Sequence, residues 1–327
     1  MNDAPSSTQS SLPETYLRLI KMVKEFSESE KKLRRIISNQ SFTWNGEKFT
    51  TGKAYKPEKK GSGGECKTDC FVIATRVSDK KEHQIKITYK KENASFIENK
   101  CKQKRVKTIF GGDWSNIIKK QIVLIKEKLQ NEPLFYLERD RKTKKSSIKL
   151  GWRYEMEANG TRPLGTPIEQ KIAKYVWENK NGNQEYRNCP VNGEKIKNSG
   201  VPNFAFIRNA ENFNSIDDVF PNLIPISSVI KNGSITSAFT AQNYNAIRDY
   251  QGGGNKRDLS VPIDWSIKNG EITAKLNFDQ PLEFNSNIQL EKLRVVLDEL
   301  DIPVGKRFDV NRFHKKLNPK VIVFPKL

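Results

Sequence analysis

The stretch TDCFVIATRVSDKKEHQIKITYKK, residues 68–91, decides how the first half of the chain folds. It contains two short apolar runs rich in β-branched residues, CFVIATRV at 70–77 and HQIKITY at 83–89. Runs of this length and composition, separated by a few polar residues, predict two adjacent β-strands. Residues two apart on a strand share a face, so Gln84 and Lys86 point together while Ile85 points the other way.

Asp69 stands directly before the first run, which allows a carboxylate, an amide oxygen and an ammonium group to converge. These groups suit metal-dependent hydrolysis of a phosphodiester. Asp69 is the expected Mg²⁺ ligand, and the side-chain oxygen of Gln84 or the carbonyl oxygen of Ile85 completes the coordination. Lys86 polarises the attacking water or stabilises the pentavalent phosphate. The predicted catalytic residues are Asp69, Gln84 and Lys86.

The register of the two strands decides whether this site can form. A tight hairpin centred on 78–81 places Asp69 opposite Lys90, and Gln84 is then about 20 Å away along the strand. The three groups converge only if the turn is centred earlier or the strands are offset.

The same residues resemble the core of the PD-(D/E)xK nucleases, specifically type II restriction endonucleases in which Gln replaces the acidic residue. The matching positions are Asp69, Gln84 and Lys86, after a Gly- and Lys-rich loop, and the resemblance covers about residues 60–130. It implies a restriction-endonuclease-like fold and cleavage of short palindromic DNA sites. Because Gln84 removes one negative charge from the metal site, a further carboxylate is expected, and Glu25, Glu28 and Glu65 are the alternatives.

The charge of the chain points to a polyanionic partner. Its 327 residues carry 58 Lys and Arg against 38 Asp and Glu, a net charge of +20, of which +16 lies in the first 150 residues. An excess of this size attracts nucleic acid. A solvated, Lys-rich surface is the simpler alternative.

Several classes of protein are excluded by composition. No run approaches the roughly 18 apolar residues of a membrane helix, and the first residues lack the apolar core of a signal peptide, which predicts a cytoplasmic protein without a membrane partner. The four cysteines form no CxxC pair and imply no disulfide framework. Cys66, Cys70 and Cys101 are expected to be buried free thiols rather than zinc ligands. With two histidines, any metal chemistry must depend on oxygen ligands.

The predicted fold is mixed α/β, with a central sheet flanked by helices and a β-rich C-terminal recognition half. Helices are expected at 13–38, 113–131, 166–179 and 290–300, a hairpin turn at Asn45-Gly46, and strands through most of 203–276. The nuclease core is assigned to residues 1–165 and the recognition half to 166–327. The two halves could also form one unit.

DNA contacts are assigned by residue type. Glycines allow a backbone to approach bases closely, and Arg, Gln and Asn read base edges. The expected recognition residues are Arg248, Gln251, Gly252, Gly253, Gly254, Asn255, Lys256 and Arg257. The expected phosphate contacts include Lys90, Lys91, Lys104 and Arg105.

The sequence thus predicts a Mg²⁺-dependent, site-specific endonuclease that acts on double-stranded DNA as a homodimer, since palindromic sites match twofold symmetry. Substituting Asp69 or Lys86 by Ala is expected to abolish cleavage. The alternative is a non-catalytic DNA- or RNA-binding regulatory protein, which needs the basic faces but no metal.

Overall fold

The computed structural model describes residues 27–58, 66–92, 94, 96–98, 101–140, 143, 145–158, 164–167, 170–178, 184–231, 235–246, 257–302 and 309–326. The chain divides into two compact units, each built from two separate stretches. Unit 1 comprises residues 1–93 and 184–227, and unit 2 comprises residues 94–183 and 228–327. The sequence predicts a boundary at residue 165, whereas the chain passes from one unit to the other after residues 93, 183 and 227.

The helices and strands follow in chain order. The first elements are α1 (27–37), β1 (Ser41–Trp44), β2 (Glu47–Thr51), β3 (Cys70–Arg76), β4 (Glu82–Lys90) and β5 (Phe96–Glu98). The next are α2 (Gln103–Phe110), α3 (Trp114–Gln130), β6 (Phe135–Tyr136), β7 (Ser147–Ala158), β8 (Gly165–Pro167), α4 (Gln170–Glu178) and α5 (Gln184–Arg187).

The remaining elements complete both units. They are β9 (Pro190–Val191), β10 (Glu194–Lys195), β11 (Phe204–Ile207), α6 (Ile216–Val219), β12 (Ile224–Pro225), α7 (Ile226–Lys231), β13 (Ile235–Asn245), β14 (Asp258–Leu259), β15 (Val261–Lys268), β16 (Glu271–Leu276), β17 (Phe284–Asn285), α8 (Ser286–Glu299), α9 (Val310–His314) and β18 (Val323–Phe324).

Unit 1 is built on a six-stranded mixed sheet with the order β1-β2-β3-β4-β11-β12. The first four strands form an antiparallel meander, and β11 pairs parallel with β4. Its core packs alternate residues of β3 and β4 against Leu33 and Ile37 of α1. The prediction of two adjacent strands around residues 70–90 is therefore confirmed, and both strands lie in the middle of the sheet.

The Asn45-Gly46 turn forms as predicted. Both residues have positive φ, 51° and 81°, which is the backbone of a type I′ turn between β1 and β2. This turn fixes the register in which Phe42 lies opposite Phe49, so both rings point into the core of unit 1.

Unit 2 is built around β7, the longest strand of an eight-stranded sheet. The central path of that sheet is β16-β15-β7-β13-β8, with β5 and β6 also paired to β7 and β18 paired to β6. The rings of Trp152 and Tyr154 are fully buried, and Tyr154 donates to or accepts from Ser237 on β13 at 2.7 Å. Together the two units establish a mixed α/β protein, as the sequence predicts.

Two predictions of secondary structure were wrong. Thr166 and Pro167 belong to strand β8, and the helix begins only at Gln170. The segment 223–230 was expected to be a strand, but it pairs over only two residues before the helix α7. The spacing of its apolar residues fits the alternation of a strand as well as the turn of a helix. In the structure Ile226, Val229 and Ile230 are buried as one helical face.

The cysteines also differ from expectation. Cys66 and Cys189 form a disulfide, whereas Cys70 and Cys101 are buried thiols outside any disulfide, as predicted. The bonded pair is 123 residues apart in the chain. It is brought together because the Lys67 N–H donates to the Gly200 carbonyl and the Glu58 N–H donates to the Pro190 carbonyl.

Gly151 lies where β7 passes close to β15, so a substitution there probes the packing of unit 2. Its φ is 143°, and a Cβ placed there would lie 2.4 Å from the Val261 carbonyl oxygen. We expect Gly151→Ala to lower the free energy of unfolding by about 2–4 kcal/mol, measured by urea denaturation. Gly112→Ala is the matched control, because a Cβ there meets nothing within 4 Å. Equal stability of the two variants would contradict the register of β7 against β15.

Candidate functional site around Asp69

The β3–β4 turn sets the surroundings of Asp69. The Arg76 N–H donates to the Lys81 carbonyl (2.9 Å), and Lys80 has a positive φ of 62°. The strands pair Cys70 with Ile87 and Ile73 with Gln84. This turn is centred one residue earlier than the predicted hairpin, so Asp69 lies beside Thr88 rather than opposite Lys90.

The Asp69 carboxylate is held by β4 itself. Its Oδ2 accepts a hydrogen bond from the Tyr89 N–H (2.8 Å) and one from the Thr88 hydroxyl (3.3 Å). The Asp69 N–H donates to the Ile87 carbonyl (2.8 Å). Asp69 keeps partial solvent contact, and its burial among protein atoms raises its pKa to about 6. A carboxyl group is therefore fixed in one orientation at a sheet position that solvent still reaches.

Three charged side chains act on this carboxylate, and a fourth contacts the Asp69 backbone. Lys90 and Lys56 act to lower the pKa of Asp69, and Glu30 acts to raise it. The Nη1 of Arg34 donates to the Asp69 carbonyl oxygen (2.8 Å) and lies 3.8 Å from Oε2 of Glu30. The same Oε2 accepts from Lys56 Nζ at 2.7 Å. We call Asp69, Thr88, Lys90, Glu30, Lys56 and Arg34 the Asp69 cluster.

The Asp69 cluster supplies some, but not all, of the ligands that a small, hard cation needs. Within the described part of the chain, neither Oδ1 of Asp69 nor Oε1 of Glu30 makes a hydrogen bond or ion pair, so each carboxylate has one oxygen available. Mg²⁺ is typically held by one or two carboxylates, with water and substrate phosphates as the other ligands. The described residues contain no group of three or more His, Cys, Asp and Glu that could hold a metal. Asp69 and Glu30, whose charge acts on the pKa of Asp69, are therefore the two carboxylates that the cluster offers to Mg²⁺.

The predicted partners of Asp69 lie further along β4. Gln84 is exposed four residues from Thr88, about 13 Å along the strand. Lys86 lies opposite Phe71, and its Nζ donates to the Asn198 carbonyl (3.1 Å). Burial lowers the pKa of Lys86. Neither residue is brought to the Asp69 carboxylate.

Ile85, whose carbonyl was an alternative metal ligand, is part of the central ladder. Its side chain is buried in the core and the residue pairs with Val72. The carbonyls of Gln84 and Lys86 accept hydrogen bonds from Asn203 on the other side of β4. Backbone groups alternate along a strand, so the Ile85 carbonyl points to β3.

The described carboxylate that acts on the pKa of Asp69 belongs to Glu30, a residue outside the three expected candidates. Of the three candidates, Glu25 and Glu65 lie outside the described residues, and Glu28 is exposed and paired with Lys31. Glu30 is none of these three, and its side chain is 19% exposed. The sequence feature that could have identified Glu30 is its helical spacing, since Glu30 and Arg34 are four residues apart beside the apolar stripe of Leu33 and Ile37.

The expected DNA contacts are only partly described. Arg248, Gln251, Gly252, Gly253, Gly254, Asn255 and Lys256 lie outside the described residues. Arg257 is partly buried, with its guanidinium 3.8 Å from Glu155. Lys90 and Lys91 lie at the end of β4, and Lys104 and Arg105 lie on α2 of unit 2.

Comparisons with known proteins do not assign the chain to a family. No protein-family model, curated protein or solved structure matches it. The described helices include none that is long and apolar enough to cross a membrane. The chemistry of the Asp69 cluster and the net charge of the chain are therefore the features that bear on its function.

The raised pKa of Asp69 has a consequence for stability. In the native state the Asp69 carboxyl group keeps its proton up to about pH 6. The stabilisation that results is complete below the usual carboxyl pKa of 3.8 and is lost as the pH rises through 6. We expect Asp69→Asn, in metal-free buffer at pH 8, to raise the free energy of unfolding by about 2 kcal/mol, with solvent contact limiting the gain. The gain should vanish near pH 4.

Urea denaturation at pH 4 and pH 8 measures this difference. Asp279→Asn, at an exposed position, is the control and should change neither value appreciably. An Asp69→Asn variant less stable than wild type at pH 8 would show that the carboxylate is not destabilised by burial.

Proposed function

We propose that this protein is a Mg²⁺-dependent endonuclease that cleaves double-stranded DNA at specific sequences, in the manner of type II restriction endonucleases. One observation carries the proposal. Asp69, through its backbone carbonyl, and Glu30, through Oε2, lie beside the same Arg34 nitrogen although they are 39 residues apart, and each keeps a carboxylate oxygen available. Lys90 supplies a positive charge beside them.

The residues of the Asp69 cluster have distinct roles in this proposal. Asp69 and Glu30 hold Mg²⁺, which when bound supplies a Lewis acid and lowers the pKa of a water molecule. Thr88 and the Tyr89 N–H fix one oxygen of Asp69 and leave the other for the cation. Lys56 orients Glu30 through Oε2.

Lys90 replaces Lys86 in the role of the catalytic lysine. It acts on the charge of Asp69, and its backbone carbonyl is tied to β11 by the Arg208 N–H (3.0 Å). A lysine fixed in this way can stabilise the negative charge that develops on the phosphate during hydrolysis. Thr88 and Lys90 have the same i, i+2 spacing as Gln84 and Lys86, so the motif shifts by four residues along one strand.

The choice of DNA as substrate is supported by charge. The net charge of +20 favours a polyanion, and binding should weaken as salt rises, because each neutralised phosphate releases counterions. Lys91, Lys104 and Arg105 are proposed phosphate contacts. The proposed base contacts are Arg248, Gln251, Gly252, Gly253, Gly254, Asn255, Lys256 and Arg257. A homodimer matches a palindromic site.

Incubation of purified protein with unmethylated phage DNA tests the proposal. We expect discrete fragments in Mg²⁺ buffer and intact DNA with EDTA. Sequencing the fragment ends then gives the recognition site. Intact DNA whose mobility shifts at low salt in both buffers would instead favour a non-catalytic binding protein.

A further inference from the structure

A cavity of about 210 Å³ lies between α2, α3 and α4 of unit 2, and its lining shares no residue with the Asp69 cluster. Three buried side chains form its floor, namely Phe110, Gln121 and Ile172, exposed by 3%, 6% and 5%. Asp113, Lys120 and Tyr175 also line it and remain accessible to solvent. The cavity therefore has an apolar, amide-bearing floor and a charged rim.

The size of the cavity limits what it can hold. Pockets for drug-sized ligands span roughly 300–1,000 Å³, so this one suits a single small ring system rather than a whole nucleotide. Phe110 and Tyr175 offer aromatic surface, on which a flat, conjugated ring gains stacking energy. A nucleobase is a planar group of this size that a strongly basic protein would meet.

The polar groups of the cavity favour one base over the others. The Oδ1 of Asp113 accepts from the Asn116 side-chain amide (2.9 Å), which orients the carboxylate at the start of α3. A carboxylate accepts hydrogen bonds only, so it selects a base edge that carries donors. Guanine presents donors at N1 and N2 and acceptors at O6 and N7, and the acceptors suit the Gln121 amide and the Lys120 ammonium.

We propose that this cavity binds an unpaired guanine base. Asp113 accepts from the N1–H and N2–H groups, Gln121 donates to an acceptor of the ring, and Tyr175 stacks on its face. Lys120 lies at the rim, where it contacts the acceptor edge or the attached phosphate. The inference that a DNA strand delivers the base rests on the proposed function. The preference of the cavity for guanine is independent of that function.

Calorimetric titration without Mg²⁺ tests the preference, using the four nucleoside 5′-monophosphates as separate probes. We expect guanosine monophosphate to bind at least about tenfold more tightly than the other three, the discrimination that one or two hydrogen bonds to a charged group provide. Asp113→Asn should remove this discrimination, because the amide presents a donor to the same edge. Equal affinities, or no binding of guanosine monophosphate at millimolar concentration, would overturn the proposal.

Two further arms complete the test. Asp279→Asn, an exposed substitution in unit 2, is the matched control and should bind like wild type. Single-stranded oligothymidylates with and without one central dG distinguish a strand from a free nucleotide, with tighter binding of the dG strand supporting delivery by nucleic acid. The cleavage assay of Asp113→Asn is independent of these titrations, so failure of the guanine site and failure of the nuclease proposal are separable.

Discussion

Asp69→Asn should lower the rate of Mg²⁺-dependent DNA cleavage by about 10³-fold or more, which corresponds to at least roughly 4 kcal/mol of lost transition-state stabilisation. The amide can still accept from the Tyr89 N–H and the Thr88 hydroxyl, so the local structure is retained. It lacks the negative charge that a divalent cation requires. Single-turnover cleavage of a site-containing duplex measures the rate, and a mobility shift in Ca²⁺ or EDTA checks that DNA binding persists.

Glu30→Gln provides the companion measurement, with an expected loss of about 10²-fold or more from the same site. Glu28→Gln is its matched control, since Glu28 lies on the same helix but is exposed and paired with Lys31. It should cleave at the wild-type rate. If Glu30→Gln and Glu28→Gln behave alike, Glu30 has no part in holding the metal.

Lys90→Ala is the second large effect, with an expected loss of about 10²- to 10³-fold in the cleavage rate at saturating Mg²⁺. The ammonium of Lys90 acts on the Asp69 carboxylate, so it is placed to stabilise charge on a phosphate bound there. The same single-turnover assay gives the value, and Lys90→Arg should recover part of the rate if positive charge is the contribution.

Lys86→Ala decides between the two lysines of β4. We expect it to retain cleavage within about threefold, because its Nζ is engaged by the Asn198 carbonyl (3.1 Å) rather than by Asp69. A loss with Lys86→Ala that Lys90→Ala does not share would restore the site predicted from the Gln84-x-Lys86 motif. It would also show that the motif, rather than the register, identifies the catalytic strand positions.

The proposed shift of the site from Gln84 and Lys86 to Thr88 and Lys90 has a simple cause. Gln84, Lys86, Thr88 and Lys90 alternate with core residues along β4, so every adjacent pair of them has the same spacing. A motif defined by spacing cannot choose among these pairs. The turn at residues 77–80 makes the choice, since moving it by one residue changes by two which β4 residue lies beside Asp69.

Much of unit 1 is predictable from local patterns. The Asn45-Gly46 turn, the strands near 70–77 and 83–89 and the alternation of core residues follow from conformational preference and period, which act within a few residues. The long helix at 113–131 is confirmed as α3 for the same reason. By contrast, the short apolar segment at 223–230 is compatible with both a strand and a helix, and only its packing decides in favour of α7.

The amino-acid sequence by itself determined the mixed α/β class, the paired central strands, the basic charge and Asp69 as the carboxylate at the start of β3. These depend on interactions between neighbours in the chain or on composition alone. Only the tertiary structure decided the β3–β4 register, the approach of Glu30 and Arg34 to Asp69, the Cys66–Cys189 bond and the two discontinuous units. Each of these depends on which distant segments pack together, and a local pattern carries no information about distances across the fold.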